Sequence, residues 1–138
     1  MTNMGTAMRR LGSVVVLAAA AGAATHGTSA ADPAAHTVTY TVTTTSDLTA
    51  NIYHVIADPP DQAVANTDQY MPLAKVYVGP ATPWVFETTL NDPNRWAYVS
   101  ASGALRANPE FRCEIAVDGQ VVVTQQGGSG VQCSLRPW

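Results

Sequence analysis

Along residues 36–45 apolar side chains alternate one for one with hydroxyls, placing Val38, Tyr40 and Val42 on one side and threonines on the other. A period of two marks a half-buried β-strand, because successive Cβ atoms point to opposite faces of a pleated sheet. Ser46-Asp47 supplies a turn, and residues 48–57 predict a second strand. Its two faces are both apolar, with Ala50, Ile52 and Ile56 on one and Tyr53 and Val55 on the other. Asp58-Pro59-Pro60-Asp61 ends that strand, since proline fixes φ and has no N–H to give to a ladder. Residues 62–72 are polar and read as a long surface loop with room for a short helical turn. Three further strands are predicted over residues 75–78, 82–90 and 96–102, separated by Gly79-Pro80 and by the turn sequence Asn91-Asp92-Pro93-Asn94.

The firmest local element is a hairpin. Residues 111–117 and 120–124 are two β-rich runs joined by Asp118-Gly119, a dipeptide that tolerates the positive φ angles of a tight turn. A turn at that position sets Val117 opposite Gln120, Ile115 opposite Val122 and Cys113 opposite Thr124, with Cys113, Ile115 and Val117 on one face. Cys113 is thereby aimed at the core. After Gly127-Gly128-Ser129-Gly130, a last strand carries Cys133. A simple meander would leave the two cysteines two strands apart, about 9.6 Å, whereas a disulfide needs Cα atoms within roughly 7 Å. The Gly-rich segment is therefore expected to let the final strand cross, either to lie beside the Cys113 strand or to face it from a second sheet. Seven or eight short strands, frequent turn signals and no amphipathic helical stretch predict an all-β, antiparallel β-sandwich.

The first part of the chain has a different pattern. Arg9 and Arg10 precede an unbroken run of apolar and small residues over 11–24, and Thr28-Ser29-Ala30-Ala31 offers small side chains for cleavage. This predicts a signal peptide over residues 1–31 and a mature domain over 32–138, because a spanning helix needs about 20 apolar residues. Nothing later in the chain is apolar for long enough to span a bilayer. Export places the two cysteines in an oxidising compartment, where Cys113 and Cys133 are expected to bond to each other. The localisation expected is secreted or in the extracytoplasmic cell envelope.

Without the leader, five basic residues face ten acidic ones. A net charge of about −5 excludes nucleic acid as a partner and docking on anionic headgroups by charge alone.

Candidate chemistry is sparse. Ser129 lacks the G-x-S-x-G spacing and the strand-to-helix turn of a nucleophile elbow, so a flexible link is the expected reading. His54, with Asp58 and Asp61 nearby in sequence, is the one constellation for an acid/base or metal-dependent hydrolase. Against that reading, His54 shares a strand face with Ile52 and Ile56, the setting of a hydrogen-bonded core or rim histidine. No C-x-x-C and no histidine cluster completes a ligand set, so no metal and no cofactor are expected. Glu110, Arg112 and Glu114 read as a solvated strand face, and Trp84 and Trp96 as core residues that open strands.

The order Thr82-Pro83-Trp84, then Ala97, Val99 and Ala101, then Cys113-Glu114-Ile115-Ala116-Val117-Asp118-Gly119-Gln120-Val121 and a Gly-rich link to Cys133, resembles the soluble domain of the mycobacterial membrane protein small (MmpS) family. Val38-Thr39-Tyr40-Thr41-Val42 is similar as well. The resemblance covers residues 37–135 and implies an immunoglobulin-like β-sandwich with one disulfide. It further implies a non-catalytic accessory of lipid or siderophore exporters outside the cytoplasmic membrane, with a membrane transporter or an envelope lipid as partner. The chain departs from that family in its predicted cleavable leader, its proline-bounded loop over 59–72 and its ending Arg136-Pro137-Trp138. Recognition is expected to fall on that loop and terminus, where Tyr70, Met71 and Trp138 supply the large apolar groups. The alternative for Tyr70 and Met71 is that they plug the open end of the sandwich.

Overall fold

The computed structural model describes residues 35–103 and 110–138. The predicted leader over 1–31, its cleavage site and most of the loop expected over 103–109 lie outside the described residues. Eight strands follow one another as β1 (His36–Thr44), β2 (Leu48–His54), β3 (Leu73–Val78), β4 (Trp84–Leu90), β5 (Tyr98–Ser102), β6 (Phe111–Val117), β7 (Gln120–Gly127) and β8 (Gly130–Ser134), with one helical turn, α1 (Pro93–Trp96), before β5. They form two four-stranded sheets of order β4-β1-β6-β7 and β3-β2-β5-β8. Every pairing is antiparallel. The β-sandwich expectation holds, and the two facing sheets with a disulfide between them are the features it shares with immunoglobulin-like domains.

The core lies between the sheets and is filled by the inward halves of alternating strands. Val38, Tyr40 and Val42 of β1 meet Leu48, Ala50 and Ile52 of β2, with Val99 and Ala101 of β5 and Cys113 and Ile115 of β6, all buried. Burying a Val, Leu or Ile side chain stabilises by about 1.5–3 kcal/mol, so this shared layer holds the sheets together. Tyr40 spans the layer with a polar tip: its hydroxyl donates to the Val55 carbonyl at 2.8 Å and accepts from the Tyr98 amide at 3.4 Å. Burial pushes the Tyr40 phenol above its ordinary value, with Asp58 adding and the Tyr98 amide opposing.

The crossing of the last strand takes the second of the two routes open to it. Cys113 in β6 and Cys133 in β8 belong to opposite sheets and are joined by a disulfide with a Cα–Cα distance of 6.1 Å. Gly128-Ser129 is the corner where the chain leaves β7 and enters the other sheet. A Cβ on Gly127 would run into the Gly130 carbonyl, so only glycine fits this close approach of the chain to itself.

Three sequence expectations are corrected. Asp118 (φ 51°) and Gly119 (φ 86°) form the turn, but a β-bulge between Ile115 and Ala116 moves the register beyond it. Ile115 faces Val123 instead of Val122, and Cys113 faces Gln125 instead of Thr124. Residue 54 ends β2 sooner than predicted, because the chain turns away to make Val55 N–H to Tyr98 (3.1 Å) and Ile56 N–H to Tyr70 (2.9 Å) bonds. Trp96 closes α1 and does not open a strand: Pro93 sits at the first helical position, and the Arg95 and Trp96 amides bond to the Asp92 carbonyl.

The long loop between β2 and β3 is tied down. Asp61 caps a 3-10 turn (Gln62–Val64) by accepting from the Ala63 amide at 2.9 Å, and Ala65 and Met71 are buried.

Candidate functional site

His54 is the last residue of β2, and alternation turns its side chain inward. There it meets three rings of the opposite sheet, Phe86 at 4.5 Å, Trp84 at 4.9 Å and Tyr40 at 6.4 Å between centroids, all edge to face. Trp84 and Phe86, two apart on β4, stack nearly parallel at 5.9 Å and form one wall of this cage. The imidazole is 5% exposed and its Nδ1 has no hydrogen-bond partner. Burial lowers its pKa below the ordinary histidine value, while the Ile52 backbone works the other way.

The carboxylates that the sequence groups with His54 are committed elsewhere. Asp58 accepts from the Asn91 amide at 2.7 Å and the Asp92 amide at 2.9 Å, which fixes the start of α1. Asp61 is spent on its cap. Among the described residues, no three His, Cys, Asp or Glu side chains are grouped to hold a metal ion. Ser129 is exposed at the sheet-crossing corner, and His36, the other histidine of the described residues, bonds Asp118 at 2.7 Å. That bond, together with the Thr37 amide, holds the Asp118 carboxyl below its usual range. Arg112 pairs with Glu114 at 2.9 Å on an open strand face, as a solvated pair would.

On the opposite face of β2, the outward residue Tyr53, next to His54, opens a different feature. A hollow of about 400 Å³ is lined by Tyr53, Tyr98, Met71 and Trp138, with the amides of Gln62, Asn66 and Gln132 around them. Cross-strand register builds it: Tyr53 faces Ser100, Ser100 faces Gln132, and Tyr98 faces Ser134. Trp138 folds back over this sheet and packs on Tyr98 at 4.9 Å and Trp96 at 6.1 Å. Arg136 holds it there. Its guanidinium lies 4.6 Å over the Trp138 ring and donates to the carbonyls of Arg95 (2.6 Å) and Pro137 (2.9 Å) and to the Gln62 side-chain oxygen.

Of the residues singled out from sequence, Met71 and Trp138 thus meet in one hollow. Tyr70 is not among its lining residues; it serves the loop through its backbone bonds to Ile56 and Thr67. Sequence reading missed Tyr98, Gln132, Gln62 and Asn66. Tyr53 was missed as well: alternation puts it on the β2 face opposite Ile52 without marking that face as solvent-facing, and only strand order brings β2, β5 and β8 side by side.

Two antiparallel sheets joined by an inter-sheet disulfide define a β-sandwich domain. The chain belongs to the Rv2576c beta-sandwich domain family, whose model matches residues 40–133. It is 55% identical over 139 residues to the protein Rv2576c of Mycobacterium tuberculosis (strain ATCC 25618 / H37Rv), across 96% of this chain and 90% of that one. The same figures hold for Mb2606c of Mycobacterium bovis. The names of both relatives state no activity. Among the described residues, no helix is long and apolar enough to cross a membrane.

Proposed function

We propose that the protein is a non-catalytic binding module of the cell envelope, exported behind a cleaved leader and working outside the cytoplasmic membrane. The observation that carries this reading is the separation of its two special environments. Among the described residues, the histidine suited to proton transfer is sealed among rings with no carboxylate bonded to it, while the open hollow is lined by aromatic and amide groups, with no titrating acid or base other than tyrosine. Catalysis asks for both in one place. A hollow of this size is at the lower end of the range for small-ligand sites.

The disulfide supports an oxidising location, and the resemblance to MmpS soluble domains supports an accessory role beside an exporter of lipids or siderophores. The test is affinity capture of the full chain from envelope extracts, followed by protein and lipid mass spectrometry, with a hydrolase panel run in parallel. A specifically bound envelope component without turnover is the expected result. Turnover that is lost in His54→Gln at native circular dichroism would overturn the reading.

A further inference from the structure

The outward face of the β3-β2-β5-β8 sheet is unlike an ordinary solvated face. Following the register, its positions are Leu73, Tyr53, Ser100 and Gln132 in one row and Lys75, Asn51, Ser102 and Gly130 in the next. Hydroxyls and amides dominate, and Lys75, on the edge strand, is the one formal charge in these rows. Exposed aromatic rings stand beside them: Tyr53 is 44% and Tyr77 55% exposed. At the upper end the face runs into the hollow, where Trp138 lies on Tyr98 and three amide side chains form the rim.

The nearby positive charge is already used. Arg136 stacks on Trp138 and is bonded to two carbonyls and the Gln62 oxygen, so it orients the ring and fixes which end of the Gln62 amide remains to be offered. The Gln62 NH2 is then a donor, and the Gln132 and Asn66 amides each bring both a donor and an acceptor. Among the described residues, an anionic ligand would find no free cation lining the hollow. An acyl chain would have to strip water from three amides without bonding to them, a cost of about 1–3 kcal/mol for each.

A ligand that meets both demands has one apolar C–H face to lie against a ring and a circumference of neutral hydroxyls that donate and accept. We infer that the hollow and the adjoining sheet face bind a neutral oligosaccharide, with one sugar ring against Trp138 and Tyr98 and later units along the row of Ser100 and the row of Asn51 and Ser102. This deepens the binding-module reading and rests on it.

The test titrates the full-length mature protein with neutral oligosaccharides of glucose, mannose and galactose, with dodecyl maltoside and with lauric acid, following tryptophan fluorescence and saturation-transfer NMR. Gln132→Ala and Asn66→Ala alter surface amides alone, and Trp138→Ala removes the platform; Val121→Ala on the other sheet serves as control. At least one oligosaccharide series is expected to bind, more tightly with chain length. Affinity should fall about tenfold or more in Trp138→Ala and several-fold in Gln132→Ala, with Val121→Ala unchanged.

No saturation transfer from any oligosaccharide at about 10 mM, the weak end of specific affinity, would overturn the inference. So would binding that is indifferent to Gln132→Ala and Trp138→Ala in folded protein. Lauric acid bound in place of sugar would overturn the ligand class while leaving the binding-module reading standing; turnover of any of these probes would bring down that reading instead.

Discussion

The hydroxyl of Tyr40 in one sheet donates at 2.8 Å to the carbonyl of Val55, the residue that follows β2 of the other sheet, a polar bond through the middle of an apolar layer. It secures the point where the chain leaves β2, next to His54, and the same oxygen receives the Tyr98 amide at the start of β5. Tyr40→Phe keeps the ring and strands both partners. A loss of about 1–3 kcal/mol is expected in denaturant unfolding, the cost of unpaired buried groups. An unchanged midpoint would mean that the bond contributes nothing net.

Reducing the Cys113–Cys133 bond removes the covalent tie between the sheets. For a loop of this length the chain-entropy estimate is about 3 kcal/mol. In a domain of this size that corresponds to a fall in Tm of more than about 10 °C. Calorimetry of oxidised protein against Cys113→Ser/Cys133→Ser checks it.

Acid should weaken the fold through His54. Its folded-state pKa is lowered, so the unfolded chain takes up the extra proton as pH falls below about 6.5. Stability present above that value is therefore lost progressively below it. Urea midpoints at neutral and mildly acidic pH should differ less in His54→Gln than in the native sequence. Parallel pH profiles for the two would assign the acid sensitivity to other groups.

The proposed export behind a cleaved leader predicts a mature protein beginning at Ala31 or Asp32. N-terminal sequencing of protein recovered from envelope or medium gives the answer, and a start at Met1 or Thr2 would overturn cleavage.

How much of this was readable without coordinates depended on whether the deciding contact was local. Strict alternation in β1 identified Val38, Tyr40 and Val42 as core, and Asp118-Gly119 located a turn whose positive φ angles follow from its residue types. Beyond that turn three consecutive valines, 121–123, carry no alternation, so the bulge was illegible. Val121 and Val122 are about half exposed while Val123 packs on the core. The face that His54 shares with Ile52 favoured a core or rim histidine over a cluster with Asp58 and Asp61, and the residue is buried; its ring neighbours Trp84 and Phe86 come from the opposite sheet and could not be read from local sequence. Trp138 and Met71 drew notice as large apolar groups outside the strands. Their partners Tyr98 and Gln132 are joined to them only by the pairing of β5 with β8.

The staple between the sheets also makes the hollow conditional on the chain's history. β8 is an edge strand, paired in its own sheet with β5 alone, and it carries Gln132 while leading within five residues of Cys133 to Trp138. In a chain with reduced thiols the terminal segment is held by that ladder and by the non-covalent contacts of Arg136 and Trp138. The oxidised chain has it held in addition by a covalent link to β6. On the proposed reading of an exported binding module, the terminal edge of the hollow would gain this covalent tie only in an oxidising compartment, where the cysteines pair.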